Sequence, residues 1–142
     1  LGGPREVPLG EELALIERYL EIEALRFRER LRVRWTRPEP MPDTLVPVLS
    51  LQPLVENAIK HGIERIPGGG EIEIRIEDDG GDVTIVIANP MPASSATTST
   101  GHNVGLPASL AQIEAFTEGR GSVVANAADG RFTVTVKLPA QR

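Results

Sequence analysis

The run Glu71-Ile-Glu-Ile-Arg-Ile-Glu alternates charged and apolar residues without a break, and the pattern returns in Asp82-Val-Thr-Ile-Val-Ile-Ala after the turn Asp78-Asp-Gly-Gly. Side chains of an extended chain point to opposite faces in turn, so this stretch has one apolar face to bury and one polar face to leave in water. An antiparallel hairpin with one wet face satisfies it, and such a pair is marginal until something covers the apolar side. Pro67-Gly-Gly-Gly, just ahead, reads as a turn. A phosphate loop there needs a following Lys-Ser/Thr and a helix, and a strand follows instead. Ser122–Ala127 and Phe132–Leu138 predict a second strand pair around Asp129-Gly130. Leu31-Arg-Val-Arg-Trp predicts one more half-buried strand, ended by the proline-rich run from Pro38 to Pro42.

The cover for that sheet comes from helical spacing. Residues 10–30 place Leu13, Ile16, Leu20, Phe27 and Leu31 on one stripe, with Glu and Arg elsewhere. Leu51, Leu54, Val55 and Ala58 follow the i, i+3, i+4, i+7 pattern of a second helix. Pro47 suits a first helical turn, while Pro53 cannot donate to the carbonyl of Leu49, so this helix effectively begins near Leu51. Residues 106–118 give a third helix, with Leu110, Ile113 and Phe116 or Thr117 inward and Gly119 closing it. Helices on one face of a mixed, mostly antiparallel sheet make an α+β two-layer sandwich. At 142 residues and 40% hydrophobic content this is one domain, and with only 4% aromatics its core must be Leu, Ile, Val and Ala.

The chemistry concentrates in Leu51-Gln-Pro-Leu-Val-Glu-Asn-Ala-Ile-Lys-His-Gly. Gln52, Glu56 and Lys60 form one i, i+4 row, and Asn57 lies one turn from both Lys60 and His61. An Asn oxygen held on a helix is a good hard ligand for Mg²⁺, which prefers oxygen and keeps several waters plus substrate phosphates. Lys60 then stands where phosphate charge collects. Taken alone, the row equally reads as a surface ion pair worth about 0.3–0.5 kcal/mol. A net charge of −5 and a pI near 5.1 argue against a nucleic-acid surface. With no cysteine, disulfides and thiolate metal sites are excluded. No apolar run approaches membrane-spanning length and no signal peptide opens the chain, so a soluble cytoplasmic piece is expected, with any membrane attachment supplied by other parts of a longer protein.

The Leu51–Gly62 string resembles the N box of the ATP-binding domain shared by sensor histidine kinases, gyrase and related ATPases, in the wording of the LytS-like sensor histidine kinases. The resemblance extends to Leu9-Gly-Glu-Glu-Leu-Ala-Leu-Ile-Glu-Arg-Tyr-Leu-Glu-Ile-Glu-Ala-Leu-Arg-Phe, similar to the segment leading into that family's catalytic domain, and to Gly101-His-Asn-Val-Gly-Leu, similar to its second glycine box. It covers residues 8–139 and implies the Bergerat ATP-binding fold, with ATP and Mg²⁺ as ligands. Asn57 would be the magnesium ligand, and Glu56, Asn57 and Lys60 the catalytic group. Asn57, Lys60, His61, Asn89, Gly101, Asn103, Gly105 and Leu106 would line the nucleotide. Asn89 takes the place of an Asp that accepts from the adenine amino group, and Asn103 that of a middle glycine. The glycines let backbone N–H groups approach phosphate oxygens, and the helix beginning near Leu106 adds its positive end. His102 reads as a lid residue, in a polar stretch over 89–104 whose part Ala93–Thr100 is expected to be disordered without nucleotide.

Three departures shape the expectation. The first glycine box, Asn89-Pro-Met-Pro-Ala, lacks both glycines. The Glu that activates water in gyrase-like ATPases is Pro53 here, and Glu56 lies about 100° around the helix from Asn57. Phosphoryl transfer rests on positioning and charge neutralisation, so a kinase can do without that base. The family's phosphorylated His lies upstream, whereas the histidines here are His61 and His102. Residues 1–30 are thus expected to be a leader helix linking to a missing dimerisation and phosphoacceptor region, and 31–142 the ATP-binding catalytic domain. The full-length protein is expected to be a homodimer that passes phosphate to a response regulator, with the fragment itself a monomer. An anti-sigma-factor-type serine kinase or regulator, and a degenerate non-catalytic nucleotide-binding domain, are the competing readings.

Overall fold

The computed structural model describes residues 6–91 and 106–139. In chain order these form β1 (Glu6–Pro8), α1 (Leu9–Phe27), a 3₁₀ turn (Arg28–Arg30), β2 (Leu31–Thr36), β3 (Leu45–Pro47), α2 (Gln52–His61) and a second 3₁₀ turn (Ile63–Arg65). There follow β4 (Gly70–Asp78), β5 (Val83–Pro90), α3 (Leu106–Thr117), β6 (Ser122–Ala128) and β7 (Arg131–Leu138).

The alternating stretch forms the predicted antiparallel hairpin, β4 with β5, in register from Glu73 opposite Ala88 to Asp78 opposite Val83. Its turn is fixed locally: the Asp79 carboxylate accepts the N–H groups of Gly81 and Asp82, and Gly80 takes a positive φ of 94°. Strand order is β2-β4-β5-β7-β6, with β2 parallel to β4 and every other pair antiparallel. The parallel pair needs a crossover, and the segment that makes it carries β3 and α2. Fold class, hairpins and helices all match the α+β expectation.

One face of the sheet is apolar. Ile72, Ile74 and Ile76 of β4, Ile85 and Ile87 of β5, and Val134, Val136 and Leu138 of β7 join one core with the stripes of α1 and α2. Leu13, Ile16, Leu20 and Phe27 are buried as predicted, and so are Leu51, Leu54, Val55 and Ala58. Each such side chain is worth about 1.5–3 kcal/mol of transfer free energy, which is why a sheet with one wet face persists. On the other face Arg75 bonds to Glu73 and Glu77 within its own strand, pairs worth at most about 1 kcal/mol each. Val86 and Ala88 are buried on that side too, so the face is less wet than the alternation implied.

Two expectations are corrected. Pro47 does not open a helix: it ends β3, which pairs antiparallel with β1 in a small separate sheet that three-residue runs without alternation do not announce. Glu12, placed among the solvent-facing residues of the first helix, is instead fully buried. The stripe of α1 also belongs to the same core as the sheet, so this helix is packed into the body that the strands form.

Gly69 marks the tightest backbone approach. It has φ 70°, and a Cβ there would stand 1.9 Å from the carbonyl oxygen of Arg30, where the chain entering β4 runs beside the chain entering β2. Gly69→Ala is predicted to cost about 3 kcal/mol or more, and Gly80→Ala, with open space around it, about 1 kcal/mol. Chemical denaturation of the two variants checks the difference; equal losses would show that backbone strain alone, not the clash, governs both.

Candidate functional site

Helix α2 carries most of the polar candidates, and its ten residues divide by angle. Leu54, Val55, Ala58 and Ile59 face the core. At 100° per residue, Gln52 and Glu56 fall on one flank of that face and Asn57 and His61 on the other, with Lys60 between them at the exposed crest. Asn57 and His61 are half-buried, and Glu56 and Lys60 exposed.

The Glu56 flank turns toward α1. Glu56 accepts a hydrogen bond from Gln52 Nε2 at 3.0 Å. With Tyr19, Glu23, Arg26, Lys60 and Glu64 it borders a pocket of about 200 Å³ between the two helices. Burial, then Glu23 and Glu56, push the Tyr19 hydroxyl up to about 12, so it stays a protonated donor beside those carboxylates. Glu56 is therefore set on the other flank of the helix from Asn57, about 100° around it.

The other flank meets the end of β5. Asn89 is buried at 3% exposure and donates from Nδ2 to the carbonyl of Pro90 at 2.8 Å. A Cβ on Gly62, the residue that ends α2, would lie 2.6 Å from Asn89 Nδ2, 2.7 Å from the Ala58 carbonyl and 2.9 Å from that of Pro90. Only a glycine fits there. Residues far apart in sequence, Asn89 and the C-terminal turn of α2, are thus in contact. Pro90 packs as closely on Gly70, where a Cβ would be 2.6 Å from its Cγ, so the close of β5 is wedged between two glycines.

His61 closes this flank. Its Nε2 is buried and has no hydrogen-bond partner among the described residues. Burial first, then the charges of Arg65 and Lys60, hold the imidazole below its usual value of 6.5, with Glu64 opposing. It is neutral at pH 7 and can offer one donor and one acceptor.

Gly101, His102, Asn103 and Gly105 lie outside the described residues, as does the Ala93–Thr100 stretch. Leu106 begins α3 as expected, with its side chain and that of Leu110 also outside them, while Ile113 and Thr117 point inward. Sequence reasoning missed Glu12 and Gly62. Glu12 had a signal: Leu9, Glu12, Leu13 and Ile16 follow the i, i+3, i+4, i+7 pattern, so this Glu stands inside an apolar stripe.

No family model matches the chain. It is 31% identical over 134 residues to the sensor histidine kinase BtsS of Escherichia coli, covering 94% of this chain and 24% of that protein. It is 36% identical over 81 residues to the sensor protein LytS of Oceanobacillus iheyensis, covering 57% of this chain and 14% of that one. The chain thus spans about a quarter or less of these relatives. In fold it superposes on the catalytic domain of the histidine kinase ThkA with a TM-score of 0.69 at 18% identity, over 97% of this chain and 98% of that one. ThkA is also known in complex with the response regulator protein TrrA. No helix among the described residues is long and apolar enough to cross a membrane.

The lowered His61 value predicts a pH dependence. Between the folded value and 6.5 the unfolded chain binds the extra proton and the folded one does not, so stability rises with pH there. The contribution is complete above 6.5 and lost as pH falls through the folded value. Melting temperature is predicted to drop as pH is lowered from 6.5, and His61→Gln to flatten that part of the profile; an unchanged slope would assign it to other groups.

Proposed function

We propose that this chain, which belongs with the LytS-like sensor histidine kinases and has the fold of the histidine kinase ThkA's catalytic domain, binds Mg-ATP on the Asn57 flank of α2 and presents the terminal phosphate to a histidine on another segment. The observation that carries the reading is the contact of Asn89 with Gly62. It joins the two motifs on which an adenine site and a phosphate site would rest.

The residues present suit that ligand. Asn57 supplies a hard amide oxygen, and the unpartnered His61 Nε2 supplies a polar atom with no protein partner among those described. Bound Mg²⁺ would supply charge neutralisation on the phosphates. The chain's own part is to hold and orient. Asn89, buried at the end of a central strand with its Nδ2 taken up by the Pro90 carbonyl, would accept from the adenine amino group through Oδ1. Lys60 places an ammonium one turn from Asn57, and neutral His61 donates without adding charge. Glu56 acts from the α1 flank on the field around Lys60 and not as a water-activating base. Gly101, Asn103, Gly105 and Leu106 would contact the phosphates, as the resemblance implies. ATP and Mg²⁺ are thus the ligands, and a response regulator, as in the ThkA complex, is the partner of the whole kinase.

Asn57→Ala is predicted to abolish the magnesium-dependent part of ATP affinity. The side chain is off the apolar stripe, so truncation opens no core cavity, and Ala is the better helix former. Melting temperature without ligand should move by no more than about 2–4 °C, whereas the stabilisation by Mg-ATP, RT ln(1 + [L]/Kd), should largely vanish. Calorimetric titration and thermal melts decide it. A variant that melts much lower yet binds Mg-ATP normally would make Asn57 structural. Failure of the unsubstituted chain to bind Mg-ATP would favour the degenerate, non-catalytic reading.

Asn89→Ala should weaken ATP binding by about tenfold, the loss of one hydrogen bond of about 1–1.5 kcal/mol, and lower the preference for ATP over GTP. Competition titration with both nucleotides checks this; unchanged ATP affinity would place the adenine acceptor elsewhere.

A further inference from the structure

Helix α2 is held from outside at both ends. At its start the Glu12 carboxylate accepts the N–H of Leu49 on one oxygen at 2.8 Å, and those of Leu51 and Gln52 on the other at 3.0 and 3.3 Å. α2 has no capping side chain of its own there, and Pro53 in its first turn has no N–H to offer. Leu49 sits at φ 60°, a left-handed conformation rare for leucine, and from that turn its N–H reaches Glu12. Beyond the far end, Arg30 Nη2 donates to the carbonyls of Ile63 and Ile66 at 3.1 and 3.0 Å, and Arg26 pairs with Glu64. All three clamping side chains come from α1 and the turn after it.

We propose that Glu12 is a positioning residue for the phosphate side of the nucleotide site: by fixing the first turn of α2 it sets where Asn57 and Lys60 stand relative to Asn89. The inference rests on the nucleotide-site reading above. Its physical basis is that the two halves of the site have separate anchors. Asn89 is held by the ladder between β5 and β7, where it lies opposite Phe132, and meets α2 at its closing turn, the end away from Glu12. Asn57 and Lys60 travel with α2. A buried carboxylate engaged through both oxygens restrains rotation of that helix as well as sliding, because its plane is set by donors on either side. Displacing reacting groups by about 1 Å can cost on the order of a hundredfold in rate, so a loosened helix is felt first at the phosphates.

The test uses the whole chain with Glu12→Gln, which keeps the volume but turns an NH₂ toward backbone N–H groups. Binding of Mg-ATP and of adenosine is measured by titration, and amide exchange is followed without ligand. Glu12→Gln is expected to raise the Kd for Mg-ATP about tenfold and leave that for adenosine within about twofold. Amides of residues 54–61 should exchange at least roughly tenfold faster, with those of 72–76 unchanged. If the Gln variant does not fold, Glu12→Asp, which keeps the charge and withdraws it by one methylene, should show the same split. Equal weakening of Mg-ATP and adenosine, or an unchanged Mg-ATP affinity, would overturn the proposal and leave Glu12 a purely structural residue. If the unsubstituted chain binds no Mg-ATP, the functional reading fails and the positioning proposal with it, while the exchange comparison still decides whether Glu12 holds α2.

Discussion

The Glu12 carboxylate, wholly buried and surrounded by backbone N–H groups, is the interaction on which the arrangement of helices depends. Burying a charge costs several kcal/mol, which only good geometry can offset. Hydrogen bonds to a charged group return about 1.5–3 kcal/mol each, and the positive end of α2 adds up to about 2 kcal/mol in a partly buried setting. Three N–H groups converging on the carboxylate supply that geometry. The pairing also solves a problem that α2 cannot solve for itself, since Leu51 at its N-cap has no side-chain acceptor and Pro53 follows at once. An acceptor borrowed from another helix ties the two together.

At the opposite end of α2 size takes over from charge. Gly62 and Gly70 admit Asn89 and Pro90 to distances that any Cβ would deny them. The last residues of β5 are thereby pressed under the closing turn of α2. The helix is thus held by electrostatics at its first turn and by close packing at its last. In between lie four core side chains, Leu54, Val55, Ala58 and Ile59, that fix which way the polar flanks face. A site split between a helix and a strand end needs both kinds of restraint.

Elements whose spacing matches a structural period were legible from residues alone. The hairpin of β4 and β5, the β6–β7 pair around Asp129-Gly130, and the stripes of α1 and α2 all declare themselves through periods of two or 3.6. Asn89 was legible for the same reason, because the alternation Val83, Ile85, Ile87 carries forward onto the buried side. What escaped was set by tertiary partners. β1 and β3 exist only because they pair with each other, too short to show alternation, and Pro47 suits a helix start because nothing local opposes one. Glu12 escaped because a Glu on an amphipathic helix is ordinarily solvated, and only its acceptor role toward another helix makes burial tolerable. Gly62 was invisible as well, since a close approach leaves no mark on the sequence around it.

The placement of charge bears on how a chain of net charge −5 could take a polyanion. Rotation by 100° per residue separates Glu56 from Asn57, so the acidic groups near α2, Glu23, Glu56 and Glu64, gather on the α1 side around Tyr19 and Arg26. Among the described residues the Asn57 flank carries amides and an imidazole that burial, and then the nearby charges of Arg65 and Lys60, keep neutral. Lys60 at the crest is the cation α2 itself provides, and Arg65 follows in the turn beyond its end. On the proposed reading, a divalent ion on Asn57 would add to Lys60 the charge that the phosphates need, whereas the adenine would rely on the buried acceptor on β5. Affinity should therefore divide into a magnesium-dependent share borne by the helix and a magnesium-independent share borne by the strand, in keeping with the separate anchoring of the two.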